Sequence, residues 1–150
     1  MTKIRLTKEF GFEMAHSLLN YDGLCKHIHG HSYKLAVTVI ATPLEDKKSP
    51  KYGMVMDFGA LKKIVNKLIV EPLDHAFVVN ANTPDEWFNN QSQLFEKTYK
   101  VDYQPTCENM VIDFAEKIKS ALPKDIELFS IKLHETATSF AEWYASDQID

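Results

Sequence analysis

Two runs of alternating apolar and polar residues limit what this chain can fold into. IRLTKEFGFEMAH (4–16) places Ile4, Leu6, Phe10, Phe12 and Met14 on one parity. HGHSYKLAVTVIAT (29–42) does the same for Tyr33, Leu35, Val37 and Val39, with His29 and His31 sharing that parity. Alternation with period two is the pattern of a half-buried strand, because successive side chains point to opposite faces. Two such runs joined by residues 17–28 suggest neighbouring strands of one sheet. Gly11, inside the first run, marks a candidate bulge.

The rest of the chain is mixed. YGMVMDF (52–58) reads as a third short strand after a polar turn with two prolines. A helix follows, with Asp57 as its N-cap and Leu61, Ile64, Val65, Leu68 and Ile69 at helical spacing; Pro72 is expected to stop it. Residues 80–104 are the least regular part and suit a short helix or a hairpin lip over a site. PTCENMVIDFAEKIKSALP (105–123) predicts a second helix, capped by Thr106, with Glu108 near its positive end. ELFSIKLHET (127–136) alternates again, and SFAEWYA continues or pairs with it. Two helices against a mainly antiparallel sheet make an α+β class.

The chain of 150 residues is expected to form one domain, 1–150. At that length a core can bury roughly two-thirds of the surface exposed by the unfolded chain, so neither disulfides nor a structural metal are required. Net charge is −4, which gives no electrostatic case for nucleic acid. The charged opening MTKIRLTKEF lacks the apolar core of a secretory signal, and no run has the length of a membrane span. With only two cysteines, Cys25 and Cys107, a cytoplasmic protein without a membrane partner is expected.

Function is written in the histidines. CKHIHGHSY (25–33) sets Cys25 beside His27, His29 and His31. On a strand, His29 and His31 project side by side. His16 ends the preceding strand, so pairing would bring a third imidazole to them. Three neutral imidazoles leave a fourth tetrahedral position open, the arrangement of catalytic rather than structural zinc. The alternative is ordinary polar histidines at a strand end. His27 falls in the loop and reads as a supporting or surface residue.

Three further features are less specific. Cys25 suits a fourth metal ligand, a base made reactive by nearby positive charge, or a small packed residue. Asp74 and His75, in LDHAF, form a pair in which a carboxylate can orient the ring and stabilise its protonated form. Glu135 ends the alternating run LHET, where a carboxylate can receive two parallel N–H bonds from an amidine-like edge such as that of a pterin. Chance adjacency and a solvated strand end are the plainer readings. Cys107, at a helix start, reads as packing.

Taken in order, FEMAH, CKHIHGHSY, GMVMDFGALK, LDHAFVVN, PTCEN and LHETATS resemble the 6-pyruvoyltetrahydropterin synthase and 6-carboxytetrahydropterin synthase family over nearly the whole chain. The resemblance implies that His16, His29 and His31 hold Zn2+ and that Cys25 abstracts a proton rather than binding the ion. It implies that Asp74 and His75 relay protons, and that Glu135 anchors the pterin with Thr106 and Glu108 near it. It also implies the tunnelling fold: a four-stranded antiparallel sheet with two helices on one face. Subunits of that fold pair sheets into an oligomeric barrel, favouring a hexamer with sites between subunits. The substrate would be 7,8-dihydroneopterin triphosphate. The products would be 6-carboxy-5,6,7,8-tetrahydropterin, acetaldehyde and triphosphate, in the deazapurine and queuosine pathway. The pyruvoyl branch, which eliminates triphosphate and keeps the side chain, is the near alternative; a non-catalytic zinc- or pterin-binding protein is another. Residues 82–104 form an insertion relative to short family members.

Overall fold

The computed structural model describes residues 1–88 and 93–148. Strands β1 (Ile4–His16) and β2 (His29–Ala41) pair antiparallel along their full length, from Ile4 opposite Ala41 to His16 opposite His29. That continuous register removes the expected bulge at Gly11. The irregularity lies instead between Thr38 and Val39, where β2 meets β5 (Glu127–His134).

The chain then turns rather than forming a third strand at 52–58. Gly53 takes a φ of 82°, and the Leu44 and Met54 main chains bond across the turn at 2.9 Å. Val55 and Met56 pack against the core without sheet pairing. Asp57 caps helix α1 (Phe58–Val65) by accepting from the Gly59 N–H at 2.8 Å. The helix continues through a π turn (Asn66–Val70) into α2 (Glu71–Leu73). Pro72 therefore lies inside the last turn rather than ending the helix. Proline has no N–H to donate, and at the start of α2 that missing donor costs little.

The expected four-stranded antiparallel sheet is a six-stranded mixed one, in the order β4-β3-β1-β2-β5-β6. β3 (Ala76–Asn80) runs parallel to β1, and β4 (Thr98–Val101) runs parallel to β3. β3 escaped a period-two reading because it is covered on both faces: Ala76, Phe77, Val78 and Val79 are all buried. β6 (Phe140–Tyr144) pairs with β5, as the second of the two expectations for SFAEWYA had it. The described residues of the irregular stretch 80–104 include a 3-10 turn (Asp85–Trp87) and β4; residues 89–92 lie outside the described residues.

Helix α3 (Cys107–Ala121) crosses one face of this sheet. Its stripe of Met110, Phe114 and Ile118 meets Leu35, Val37, Ile131 and Leu133 in one core with Leu61, Val65 and Ile69. Thr106 caps α3 by accepting from the Asn109 N–H at 3.2 Å, a contact of about 1 kcal/mol in such positions. A smaller aromatic cluster, Phe77 with Phe88 and Phe95, covers the opposite face at the β3 end. The histidine parity of β1 and β2 thus faces α3, at the end of the core.

Candidate metal and proton-transfer site

Strand register builds the first part of the site. His16 faces His29 across the ladder, and His31 stands two residues along on the same face. One ring nitrogen from each lies within 4.8 Å of the others. Tyr33 supports them from below: its ring meets His31 edge-on at 5.5 Å and stacks on Phe12 at 5.1 Å. Gly30 points away, and a Cβ there would stand 3.4 Å from the Met14 carbonyl, an ordinary contact. The missing side chain is therefore not what makes room for the two rings.

Two backbone carbonyls settle which nitrogens face inward. His16 Nδ1 lies 2.8 Å from the Pro105 oxygen, and His29 Nδ1 lies 2.7 Å from the His27 oxygen. A carbonyl only accepts, so each Nδ1 carries the hydrogen and each neutral ring turns a bare Nε2 inward. Those two Nε2 atoms are 3.0 Å apart. Lone pairs at that distance repel unless a cation lies against both. His31 Nε2 is buried with no hydrogen-bond partner among the described residues. Glu135 Oε1 stands 3.4 Å from it, in ion-pair range but out of line for a hydrogen bond.

Electrostatics agree. Burial is the largest influence on His16 and lowers its pKa to about 4, outweighing the Pro105 bond; His29 and His31 lower it further. Burial also lowers His31, against the pull of Glu135. His16 and His31 are therefore Lewis bases at neutral pH rather than charged groups. Metal-bound histidines commonly donate their second N–H to a carbonyl, as two of these do. The donor set, its orientation and the orphaned nitrogen fit a divalent zinc-like ion.

Asp74 and His75 form the second part, at the corner between α2 and β3. Asp74 Oδ1 accepts from the Glu13 N–H at 2.9 Å, and Oδ2 lies 3.0 Å from His75 Nδ1. The Glu13 bond is the main reason the Asp74 carboxyl sits below its ordinary range, with His75 and Lys97 adding to it. His75 takes a left-handed φ of 60°, held by its N–H bond to Glu13 O at 2.6 Å. The Lys97 ammonium donates to the carbonyls of Glu71 and Asp74, tying the corner to the approach to β4. His75 and His31 line one cleft of about 510 Å3, with Glu13, Ser32, Phe95 and Lys97.

Other expected residues lie differently. Cys25 sits partly exposed in a 3-10 turn (Leu24–Lys26) and is not among the clustered ligand atoms or on the lining of that cleft. Glu108 is exposed on the first turn of α3. Cys107 is buried, its thiol donating to Leu133 O at 3.3 Å. His27 contributes its carbonyl rather than its ring. Pro105 and Lys97 escaped sequence reasoning. A main-chain acceptor has no residue signature, and a lysine in a polar loop looks like any solvated charge.

Comparisons with known proteins converge. The family model described as 6-pyruvoyl tetrahydropterin synthase matches residues 5–146. A 6-carboxy-5,6,7,8-tetrahydropterin synthase of Haemophilus influenzae is 37% identical over 146 residues, covering 93% of this chain and 97% of that one. A Synechocystis protein of the same name is 33% identical, covering 92% and 91%. Among solved structures, an uncharacterized protein of Wolinella succinogenes superposes with a TM-score of 0.74 at 20% identity, covering 97% and 99%. The Caenorhabditis elegans 6-pyruvoyl tetrahydropterin synthase gives 0.66 at 24%, covering 97% of each. The chain has the tunnelling fold expected from its sequence.

Proposed function

The chain belongs to the 6-pyruvoyl tetrahydropterin synthase family, and on that footing we propose that it is a zinc-dependent pterin synthase of the carboxy branch. It converts 7,8-dihydroneopterin triphosphate to 6-carboxy-5,6,7,8-tetrahydropterin, releasing acetaldehyde and triphosphate, as a step toward deazapurines such as queuosine. The names of its relatives favour this branch over the pyruvoyl one. The observation that supports metal dependence is the facing pair of bare Nε2 atoms on His16 and His29, 3.0 Å apart.

In this reading His16, His29 and His31 hold the zinc ion. When bound, zinc supplies Lewis acidity to the hydroxyls of the substrate side chain. Cys25, Asp74 and His75 carry the proton transfers. Asp74 Oδ2 keeps the hydrogen of His75 on Nδ1, which leaves Nε2 free to take a proton, and it stabilises the imidazolium that results. Glu135 anchors the pterin edge with both oxygens, next to His31. Thr106 and Glu108 border the ring, the Thr106 oxygen already engaged at the cap of α3. The His75 side chain is 77% exposed, so a neighbouring subunit of a homo-oligomer, a hexamer on family precedent, shields it from water during the reaction.

Incubation of the zinc-loaded protein with 7,8-dihydroneopterin triphosphate, followed by mass identification of the pterin, tests the proposal. A carboxylated pterin with acetaldehyde is expected. A pyruvoyl product would move the protein to the other branch, and an unchanged substrate would reject an enzymatic role.

A further inference from the structure

We propose that Gln104 is a positioning residue that holds the Cys25 loop against the segment orienting His16; this rests on the reading of Cys25 as a proton-transfer group. The Gln104 side-chain amide makes two hydrogen bonds to one main-chain residue. Leu19 N–H donates to Oε1 at 3.1 Å, and Nε2 donates to Leu19 O at 2.8 Å. An amide offers both a donor and an acceptor, so it pairs with the N–H and C=O of one residue much as an adjacent strand would.

What it grips is a strained turn. Tyr21 N–H reaches Leu18 O at 3.3 Å, and Asn20 between them has a φ of 61°. A left-handed residue other than glycine persists where its surroundings over-determine it. Leu18 in turn donates its N–H to Cys25 O at 3.0 Å, which closes the loop on the cysteine. Gln104 is anchored from behind, its own carbonyl accepting from Thr106 N–H at 2.7 Å and from Asn109 Nδ2 at 3.0 Å. The next residue, Pro105, gives the carbonyl that sets the His16 tautomer. Two consecutive residues therefore fix the His16 ring and the Cys25 loop in one frame. Separation of a reacting group from its partner by even an ångström is costly to rate.

Gln104→Met in the zinc-loaded protein, with amide exchange read at Leu18, tests this. The Leu18 N–H is bonded to Cys25 O and not to Gln104, so a change there reports the loop and not the lost bonds themselves. Exchange at Leu18 should rise about tenfold as the two bonds are lost. Turnover number should fall about tenfold while KM and zinc content stay at wild type. Gln104→Asn, one methylene too short to reach Leu19, should behave alike, and Gln104→Glu, which keeps the acceptor for Leu19 N–H, should recover part of both effects. Unchanged exchange at Leu18 in Gln104→Met would overturn the proposal. So would a turnover loss accounted for by lost zinc. Full activity in Cys25→Ala would instead remove the role of Cys25, while leaving the exchange result intact, so the two failures are distinguishable.

Discussion

The two histidine-bearing corners of this molecule are built in opposite ways. His16, His29 and His31 stand on paired strands, and His16 is 1% exposed. Asp74 and His75 stand on a helix-to-strand corner, with side chains 39% and 77% exposed. In the first, strand register and two carbonyl acceptors fix the rings, and burial disfavours the charged forms of His16 and His31. In the second, hydrogen bonds to Glu13 and from Lys97 fix the main chain while solvent reaches the ring. In the proposed reading, the core of one chain completes the cation cradle, whereas the exposed Asp74-His75 pair would need a second surface to keep bulk water from a proton relay.

The sharpest way to break the contrast is to remove a cradle ring. His29→Ala should weaken zinc binding by more than about 100-fold, since even supporting residues of such sites contribute 10- to 100-fold; competition with a chelator measures it. If zinc binds as before, the cradle is elsewhere. Asp74→Asn should act on the other corner alone. Its turnover number should drop by about 100-fold, the lower range for acid–base groups, at unchanged zinc content. Loss of zinc in that variant would mean the corners are not separate.

Glu135 stands beside the first corner, 3.4 Å from His31 Nε2, and Glu135→Ala should raise KM by about tenfold through loss of charge-assisted hydrogen bonds. Steady-state kinetics decides, and an unchanged KM would free Glu135 from the pterin. The smallest effect is on stability. In metal-free protein, burial lowers the His16 pKa from the ordinary 6.5 to about 4 in the folded state. Between those values the unfolded chain binds more protons, so stability rises with pH through the window and falls on acidification. The slope from this residue reaches about 1.4 kcal/mol per pH unit. Urea unfolding of wild type and His16→Gln across that range should show the slope in the first and its reduction in the second.

Much of this was legible in the sequence, but unevenly. The strands β1 and β2, the caps Asp57 and Thr106, and the convergence of three histidines follow from period two, capping chemistry and the short connection. β3 was hidden because burial on both faces erases alternation. The turn at 52–58 was misread because Met54, Val55 and Met56 are apolar without being paired, and Gly53 spends its freedom on a left-handed turn. The corner at His75 was visible as an Asp-His pair, whereas its clamps were not. They are main-chain atoms of Glu13 and a lysine distant in sequence, set by a parallel strand pairing that short-range patterns do not encode.

X-ray absorption at the zinc edge of the loaded protein tests the central claim most directly. Three imidazoles sharing one ion, with Cys25 left free as a base, predict nitrogen or oxygen neighbours only, at about 2.0–2.1 Å. A sulfur neighbour at about 2.3 Å would make Cys25 a ligand and contradict the account.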